Sequence, residues 1–152
     1  MSGYPDRKYV YDVFHLFFDP PEGTKKFFDY VDDNVHWQVT GHHRFSGTWT
    51  SKKDYYNATW ANINLLLADP GYKLEVPGGE QGVIVGQDGW SVIEMKTVGT
   101  KTKSGVPYQQ HYSWHCRWNK EGKIVEAKAF LDADHLEKVL GGEQRKLGLV
   151  TA

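Results

Sequence analysis

The chain has 152 residues, a length that predicts one domain. Its 18 Lys and Arg residues against 19 Asp and Glu residues give a net charge of −1, without the cationic excess typical of a protein whose main partner is nucleic acid. The single cysteine, Cys116, excludes an internal disulfide framework and a cysteine-based zinc cluster. No apolar run approaches the roughly 20 residues that span a bilayer, and no signal-peptide pattern is visible, so we expect a cytoplasmic protein with no membrane partner.

The first half of the chain predicts helices on either side of one strand. Apolar residues recur at helical spacing over residues 4–18, and two prolines end this first helix before a short second one. Strict alternation over residues 35–40 predicts a strand that shows Val35, Trp37 and Val39 on one face. A long helix is predicted over residues 52–68, with Tyr55 and Asn62 on its apolar stripe.

The second half of the chain predicts a meander of strands separated by turns rich in glycine. These strands cover residues 72–76, 81–85, 90–102, 108–118 and 123–131. A last helix over residues 135–140 stops at two glycines. The predicted fold is therefore α+β, with helices on the concave face of a curved antiparallel sheet that forms a cone with a pocket at its mouth.

Several segments, in this order and spacing, resemble the SnoaL-like branch of the nuclear transport factor 2-like superfamily. They are Val35-His36-Trp37-Gln38-Val39-Thr40-Gly41, Phe45-Ser46-Gly47, Ser104-Gly105-Val106-Pro107-Tyr108, residues 112–118, Gly122-Lys123-Ile124-Val125-Glu126 and Phe130-Leu131-Asp132. The resemblance covers residues 4–140 and implies that residues 1–152 form a single domain of this kind. It implies a cone-shaped fold that hosts isomerases, polyketide cyclases, dehydratases, epoxide hydrolases and non-enzymatic binders.

In such relatives the chemistry lies inside the cone, and strand alternation predicts which side chains point there. The inward positions are Trp37, Val39, Ile93, Met95, Thr97, Gly99, Gln110, Tyr112, Trp114, Cys116, Ala127, Ala129 and Leu131. Aromatic residues make up 14% of the chain, which suits a lining for a hydrophobic ligand as well as a plain core. We expect Trp37, Tyr112, Trp114 and Met95 to surround such a ligand, and Cys116 to be buried and inert.

The chain departs from the acid–base groups of the relatives that it resembles. Steroid isomerase relatives carry a general-base aspartate where this chain has Val39. Limonene epoxide hydrolase relatives use an arginine and two aspartates, and the matching positions here are Met95, Thr97 and Ala129. An enzymatic mechanism must therefore use other groups.

Two titratable residues are candidates for these roles, each with a structural alternative. His15 belongs to the stripe Tyr11, Phe14, His15 and Phe18 of the first helix, and an imidazole facing the cone would suit general acid–base catalysis. The alternative for His15 is a histidine at the helix edge that bonds to solvent or to a carbonyl. Asp132 ends the last strand and would be a carboxylate at the rim, but it would equally cap the C-terminal helix, a role for which Asp134 competes.

Polar residues at inward positions are candidates for binding a substrate oxygen. Gln110 and Tyr112 would hold a substrate carbonyl by hydrogen bonds, with Tyr55 and Asn62 facing them from the long helix. Because a buried amide without a partner costs ~1–3 kcal/mol, Gln110 must bond to a ligand, a water or a neighbour such as Tyr108. A satisfied core amide is the structural alternative.

The remaining histidines predict a surface rather than a metal centre. His36 lies on the outward face of its strand, and His42 and His43 are adjacent in a loop, an arrangement that disfavours one shared ion. A position at the rim of the mouth suits His42 or His43 better. Outward residues His111, His115 and Arg117 predict a solvated face or the interface of a homodimer.

These observations predict a small, cofactor-independent enzyme that acts on a hydrophobic, oxygenated small molecule. The relatives imply substrates of polyketide or terpenoid type and an isomerisation, cyclisation or dehydration. The catalytic candidates are His15, Tyr112, Gln110 and Asp132, and the substrate-binding candidates are Trp37, Val39, Tyr55, Asn62, Met95, Thr97, Trp114 and Ala129. The missing carboxylates leave open the alternative of a non-catalytic binding or dimeric interaction module of the same fold.

Overall fold

The computed structural model describes residues 3–149 of the protein. This part of the chain contains five α-helices: α1 (Arg7–His15), α2 (Glu22–Phe28), α3 (Lys52–Ala58), α4 (Trp60–Asn64) and α5 (Ala133–Lys146). A 3₁₀ turn, Leu16–Phe18, follows α1, and a second, Gly79–Gly82, lies in the meander. No helix in residues 3–149 is long and apolar enough to cross a membrane.

Seven strands in the described residues form one sheet. They are β1 (Val31–Val39), β2 (Gly47–Trp49), β3 (Leu74–Glu75), β4 (Ile84–Val85), β5 (Trp90–Thr97), β6 (His111–Trp118) and β7 (Ile124–Leu131). Their order is β2-β1-β7-β6-β5-β3, and β4 also pairs with β5. The α+β fold and the cone-like sheet expected from the sequence are therefore confirmed.

One pairing differs from the antiparallel sheet expected from the sequence. Strand β1 runs parallel to β7, with Trp37 opposite Ala127. Strands β5, β6 and β7 follow one another through turns and are antiparallel, as short connections require. The long, partly helical connection between β1 and β7 removes that constraint, because it lets the chain return in either direction.

The alternation of buried and exposed residues follows the predicted inward faces. On β6 the inward side chains Tyr112, Trp114 and Cys116 are buried, while His111 on the opposite face is exposed. On β7 the inward residues Ala127 and Ala129 are buried. The helices cover this concave face, so one aromatic-rich core fills the space between the helices and the sheet.

The predicted long helix over residues 52–68 is wrong, because it divides into α3 and α4 at Thr59. The Thr59 hydroxyl donates a hydrogen bond to the carbonyl of Tyr55 at 2.8 Å, and the Thr59 backbone has φ −116° and ψ −79°. Hydroxyls that bond to the preceding turn bend helices. The bend turns Trp60 and Ile63 towards the core.

The last helix is longer than the predicted residues 135–140 and passes through both glycines. Local packing explains why glycine stands inside the helix, since a Cβ atom at Gly141 would lie 2.8 Å from the Arg44 guanidinium. Gly141 thus serves the close approach of a side chain rather than the end of the helix.

Candidate active site

A small apolar space, here called the chamber, lies between the concave face of the sheet and the helices. Its volume is about 40 Å³. The residues that line it are Val39, Phe45, Tyr55, Thr59, Trp60, Ile63, Tyr72, Leu74, Tyr112, Trp114, Ala129, Leu131 and Leu136. The described lining holds no carboxylate, imidazole or ammonium group, so its polar atoms are those of tyrosine, tryptophan and threonine.

A pair of buried tyrosines supplies the most polar part of this lining. The hydroxyl of Tyr112 lies 2.9 Å from the hydroxyl of Tyr72 and donates a hydrogen bond to it. Tyr112 comes from the inward face of β6, and Tyr72 comes from the segment that leads into β3. Burial raises the pKa of both phenols well above the usual value, so both remain protonated. Neutral phenols donate hydrogen bonds to a substrate oxygen but do not remove protons.

A second hydrogen bond fixes the helical wall of the chamber. The indole N–H of Trp60 donates to the hydroxyl of Tyr55 at 2.8 Å. Burial raises the pKa of Tyr55, so this hydroxyl is also neutral. The ring of Tyr55 stacks on Trp37 with 4.2 Å between ring centroids. Trp60 and Tyr55 therefore hold each other in place on the wall.

Two buried indole groups lack hydrogen-bond partners within the described protein. They are the N–H groups of Trp37 and Trp114, and Trp114 lines the chamber. A buried N–H without a partner costs ~1–3 kcal/mol. An oxygen acceptor bound in the chamber would lower this cost if it reached the Trp114 indole.

The expected position of His15 is wrong. His15 is exposed at the end of α1, where its ring stacks between Tyr11 at 5.3 Å and Phe18 at 5.5 Å. The buried stripe of α1 is instead Val10, Val13 and Phe14, continued by Phe17. The helix thus presents its more uniformly apolar stripe to the core, and of the predicted stripe only Phe14 is buried.

Gln110 and Asp132 have structural partners. The Gln110 amide nitrogen donates to the Tyr108 hydroxyl and to the Asp132 carbonyl, each at 3.0 Å. Its amide oxygen accepts the backbone N–H groups of His111 at 3.0 Å and Asp132 at 2.8 Å. The Asp132 side chain caps α5 by accepting the His135 N–H at 3.0 Å. For both residues the structure shows the structural alternative.

The substrate-binding candidates divide between the chamber and its surroundings. Five predicted residues line the chamber: Val39, Tyr55, Tyr112, Trp114 and Ala129. Trp37 and Met95 are buried outside the lining, and the Thr97 hydroxyl donates to the Tyr108 carbonyl at 2.7 Å.

The inward position predicted for Asn62 is wrong. Its side chain is exposed, and its amide donates to the carbonyls of Asn57 and Ala58. The bend at Thr59 changes the phase of the helix, so Ile63 rather than Asn62 faces inward.

The histidines of β1 and of the loop that follows it have different surroundings. His36 and His42 are exposed, whereas His43 is buried. His43 Nδ1 accepts the Phe45 N–H at 3.2 Å, and Nε2 lies 3.0 Å from the Thr40 carbonyl, to which it donates. Burial lowers the pKa of His43, so its ring is neutral and shapes the loop that carries Phe45. Residues 3–149 contain no group of three or more side chains placed to hold a metal ion.

A much larger concavity, here called the outer groove, lies on the other side of the helical wall. Its volume is about 800 Å³. Four aromatic residues in mutual ring contact form its floor: Tyr56, Phe28, Trp60 and Tyr72. Trp60 and Tyr72 also line the chamber, so these two rings separate the two spaces.

Sequence reasoning did not single out Tyr72 and Trp60. Tyr72 opens the predicted strand over residues 72–76, and its alternation with Leu74 and Val76, which are buried with it, was the signal that could have placed it inward. Trp60 follows the bend at Thr59, which the sequence pattern did not predict.

The chain is similar to characterised fungal cyclases in sequence and to solved structures in fold. It is 26% identical over 138 residues to the dimerizing cyclase tstC of Talaromyces stipitatus, covering 90% of this chain and 58% of that protein. It is 28% identical over 114 residues to the dimerizing cyclase phiC of a fungal species, covering 74% of this chain and 48% of that protein. The chain thus spans about half the length of the curated relatives that it matches.

The structure of PrhC from Penicillium brasilianum superposes with a TM-score of 0.72 at 10% identity, over 93% of this chain and 91% of that chain. Other solved neighbours are described as nuclear transport factor 2-like proteins. No protein-family model matches the chain. The fold is that of solved nuclear transport factor 2-like proteins, as expected from the resemblance.

Proposed function

We propose that this protein is a cofactor-independent cyclase or isomerase acting on a hydrophobic, oxygenated small molecule. The observation that carries the proposal is the Tyr72–Tyr112 hydroxyl pair, 2.9 Å apart and set in an otherwise apolar lining. The similarity to two cyclases supports the same class of reaction. Substrates of polyketide or terpenoid type stay a prediction. The cytoplasmic location stays a prediction.

The Tyr112 hydroxyl, which donates to Tyr72 in the structure, acts as the hydrogen-bond donor to the substrate. A substrate carbonyl that accepts from a neutral tyrosine becomes a better electrophile, and the charge that develops on its oxygen is stabilised in surroundings that exclude water. The apolar side chains around the pair orient the oxygenated end of the substrate, which brings the reacting atoms together. The proton that leaves carbon passes to another atom of the substrate itself, since the described lining has no basic side chain.

The name of both relatives, dimerizing cyclase, makes the joining of two substrate molecules the first reaction to test. The purified protein would be incubated with a β,γ-unsaturated ketone, a linear polyketone and an oxygenated terpenoid. Mass spectrometry separates the outcomes, because coupling doubles the mass, isomerisation or cyclisation leaves it unchanged, and dehydration lowers it by one water.

The variant that tests the tyrosine pair is Tyr112→Phe. We expect it to lower kcat/KM about 100-fold, the loss typical of one oxyanion donor. Tyr9→Phe is the matched control, since it removes a hydroxyl that bonds to the Gly122 carbonyl, outside the chamber lining. Equal rates for Tyr112→Phe and wild type would contradict the assignment of the pair.

The second candidate is a module that binds such molecules without converting them. The chamber lining favours it in one respect, because no acid–base pair is present among its described residues. If the test compounds bound tightly and none was converted, the protein would be this binding module rather than an enzyme.

A further inference from the structure

The chamber and the outer groove differ in what they can hold. The chamber, at about 40 Å³, has room for only a few water molecules. The outer groove, at about 800 Å³, lies within the range of roughly 300–1,000 Å³ that small-molecule pockets occupy. A substrate of the proposed class therefore does not fit the chamber as it stands, whereas it fits the groove.

The groove combines an aromatic floor with polar and charged walls, which include Lys25, Asp33, Lys52, Lys53 and Asp69. Its floor is the contiguous series of rings Tyr56, Phe28, Trp60 and Tyr72, with centroids 5.1 to 5.6 Å apart. Such a floor offers flat apolar contact to the body of a ligand. Polar side chains of Lys53 and Asn57 are exposed on its walls and supply hydrogen-bond donors.

The partition between the two spaces includes Trp60 and Tyr72, the two residues that line both. The rings of Trp60 and Tyr72 contact each other at 5.1 Å, and each is held by one hydrogen bond on the chamber side. Trp60 bonds to Tyr55, and Tyr72 bonds to Tyr112. A substrate oxygen that bonds to Tyr112 would replace the bond that holds Tyr72. Binding of the substrate and opening of the partition are thereby the same event.

We infer that the outer groove binds the flat apolar body of the substrate, and that the substrate's oxygenated end reaches the chamber by displacing Trp60 and Tyr72. This inference rests on the proposed function for the identity of the substrate. It assigns a binding site on the outside of the helical layer, and it makes Trp60 and Tyr72 the residues that control access.

The test uses N-phenyl-1-naphthylamine, an uncharged double-ring fluorophore, on the full-length protein. Asn57→Trp places a bulky side chain in the groove, and we expect it to weaken binding of the probe at least about tenfold, equivalent to about 1.4 kcal/mol. Leu65→Trp is the matched control, because Leu65 is 52% exposed beside α4 and does not line the groove. Wild-type affinity in Asn57→Trp, or no binding to wild type, would overturn the inference.

A second variant separates this inference from the proposed function. Ala129→Val narrows the chamber, so it should leave probe binding unchanged while lowering turnover. Asn57→Trp should instead lower kcat/KM through a higher KM, with kcat retained. If no test compound is converted by wild type, the proposed function fails, but the probe titrations still decide whether the outer groove binds a ligand. If Ala129→Val lost probe binding and Asn57→Trp did not, the probe would bind in the chamber, and the inference about the outer groove would be overturned.

Discussion

Every hydrogen-bonding atom of the Gln110 amide is used by the protein itself. The residue lies just before β6 with no exposed surface, and its four bonds reach Tyr108, His111 and Asp132. These bonds join the start of β6 to the junction between β7 and α5. Gln110 is thus a structural residue near the chamber rather than one that touches a substrate.

We expect Gln110→Ala to lower the free energy of unfolding by about 3 kcal/mol, because it strands two backbone N–H groups and one carbonyl. Urea unfolding measures this loss. Gln109→Ala is the control, since that side chain is exposed and only its backbone N–H is used, bonding to His135. A decrease below ~1 kcal/mol would mean that water replaces the amide.

Strand residues of the site are predictable from the sequence, whereas helix residues are not. The alternation of strands placed Tyr112, Trp114 and Ala129 on the chamber side, because a strand has only two faces. A helix presents a face that depends on its phase, and a single bend changes it. Asn62 was misplaced for this reason, whereas His15 was misplaced because α1 offers two overlapping apolar stripes that share Phe14. Gln110 was correctly expected to be inward, but only the structure distinguishes a satisfied amide from a binding one.

Helix α5 is attached to the rest of the molecule by carboxylates. Glu137 accepts the Arg44 backbone N–H and pairs with its guanidinium at 2.6 Å. Glu143 is buried and accepts the Ser104 N–H at 3.0 Å and its hydroxyl at 2.5 Å. The bonds from Arg44 lower the pKa of Glu137. Burial alone would raise the pKa of Glu143, but the bonds from Ser104 and Thr102 outweigh it and lower that pKa.

The protein should therefore lose stability in acid through α5. A group whose folded pKa is lowered contributes stability above its unfolded pKa, roughly 4.3 for glutamate, and loses it as the pH falls through the folded value. We expect the Glu137→Gln/Glu143→Gln double variant to flatten the dependence of unfolding free energy on pH below about 5. Urea titrations from neutral to acid pH measure this. Glu121→Gln, at an exposed turn, should keep the wild-type dependence.

Two helical glycines should respond oppositely to alanine. A Cβ atom at Gly23 in α2 would lie 1.9 Å from the Leu16 carbonyl oxygen, so Gly23→Ala should destabilise the protein by about 3 kcal/mol. At Gly142 in α5 the nearest atom would be 3.9 Å away, so Gly142→Ala should stabilise by up to ~1 kcal/mol through helix propensity. Thermal unfolding compares the two. A tolerated Gly23→Ala would show that α2 moves away from the 3₁₀ turn at little cost.

The outer face of the sheet bears on the assembly of the whole molecule. His111 is exposed there, His115 lies against Phe130 at 5.1 Å between ring centroids, and Arg117 pairs with Glu126 at 3.1 Å. Phe130 is 41% exposed and so offers apolar surface on this face. This face is the one that the sequence suggests for a homodimer.

We expect the wild-type protein to be a dimer and Phe130→Glu to be a monomer, because a charge on this face would be buried without a partner. Light scattering after size-exclusion chromatography gives the masses. Leu65→Glu, on the helical side, should remain dimeric. If the wild-type protein were monomeric across micromolar concentrations, the outer face of the sheet would not be a dimer interface.

The overall fold was largely predictable, because its strands alternate cleanly and the turns between them are marked by glycine. The parallel pairing of β1 with β7 was not, since residue patterns identify a strand's faces but not its neighbour. The volume of the chamber was not predictable either. A cone expected to be wide is instead filled by aromatic rings such as Trp37 and Tyr55, and sequence does not specify how large side chains interlock.

The pairing of β1 with β7 also orders events during synthesis on the ribosome. Strand β1 is made early, yet apart from the short β2 its neighbour in the sheet is completed only at Leu131. Until then β1, whose apolar face carries Val35 and Trp37, has no partner strand along the edge that later pairs with β7. Contacts between such distant segments form slowly, and exposed apolar edges attract chaperones and other nascent chains. Translation speed through residues 40–124 should therefore affect the yield of folded protein more than translation speed elsewhere in the chain.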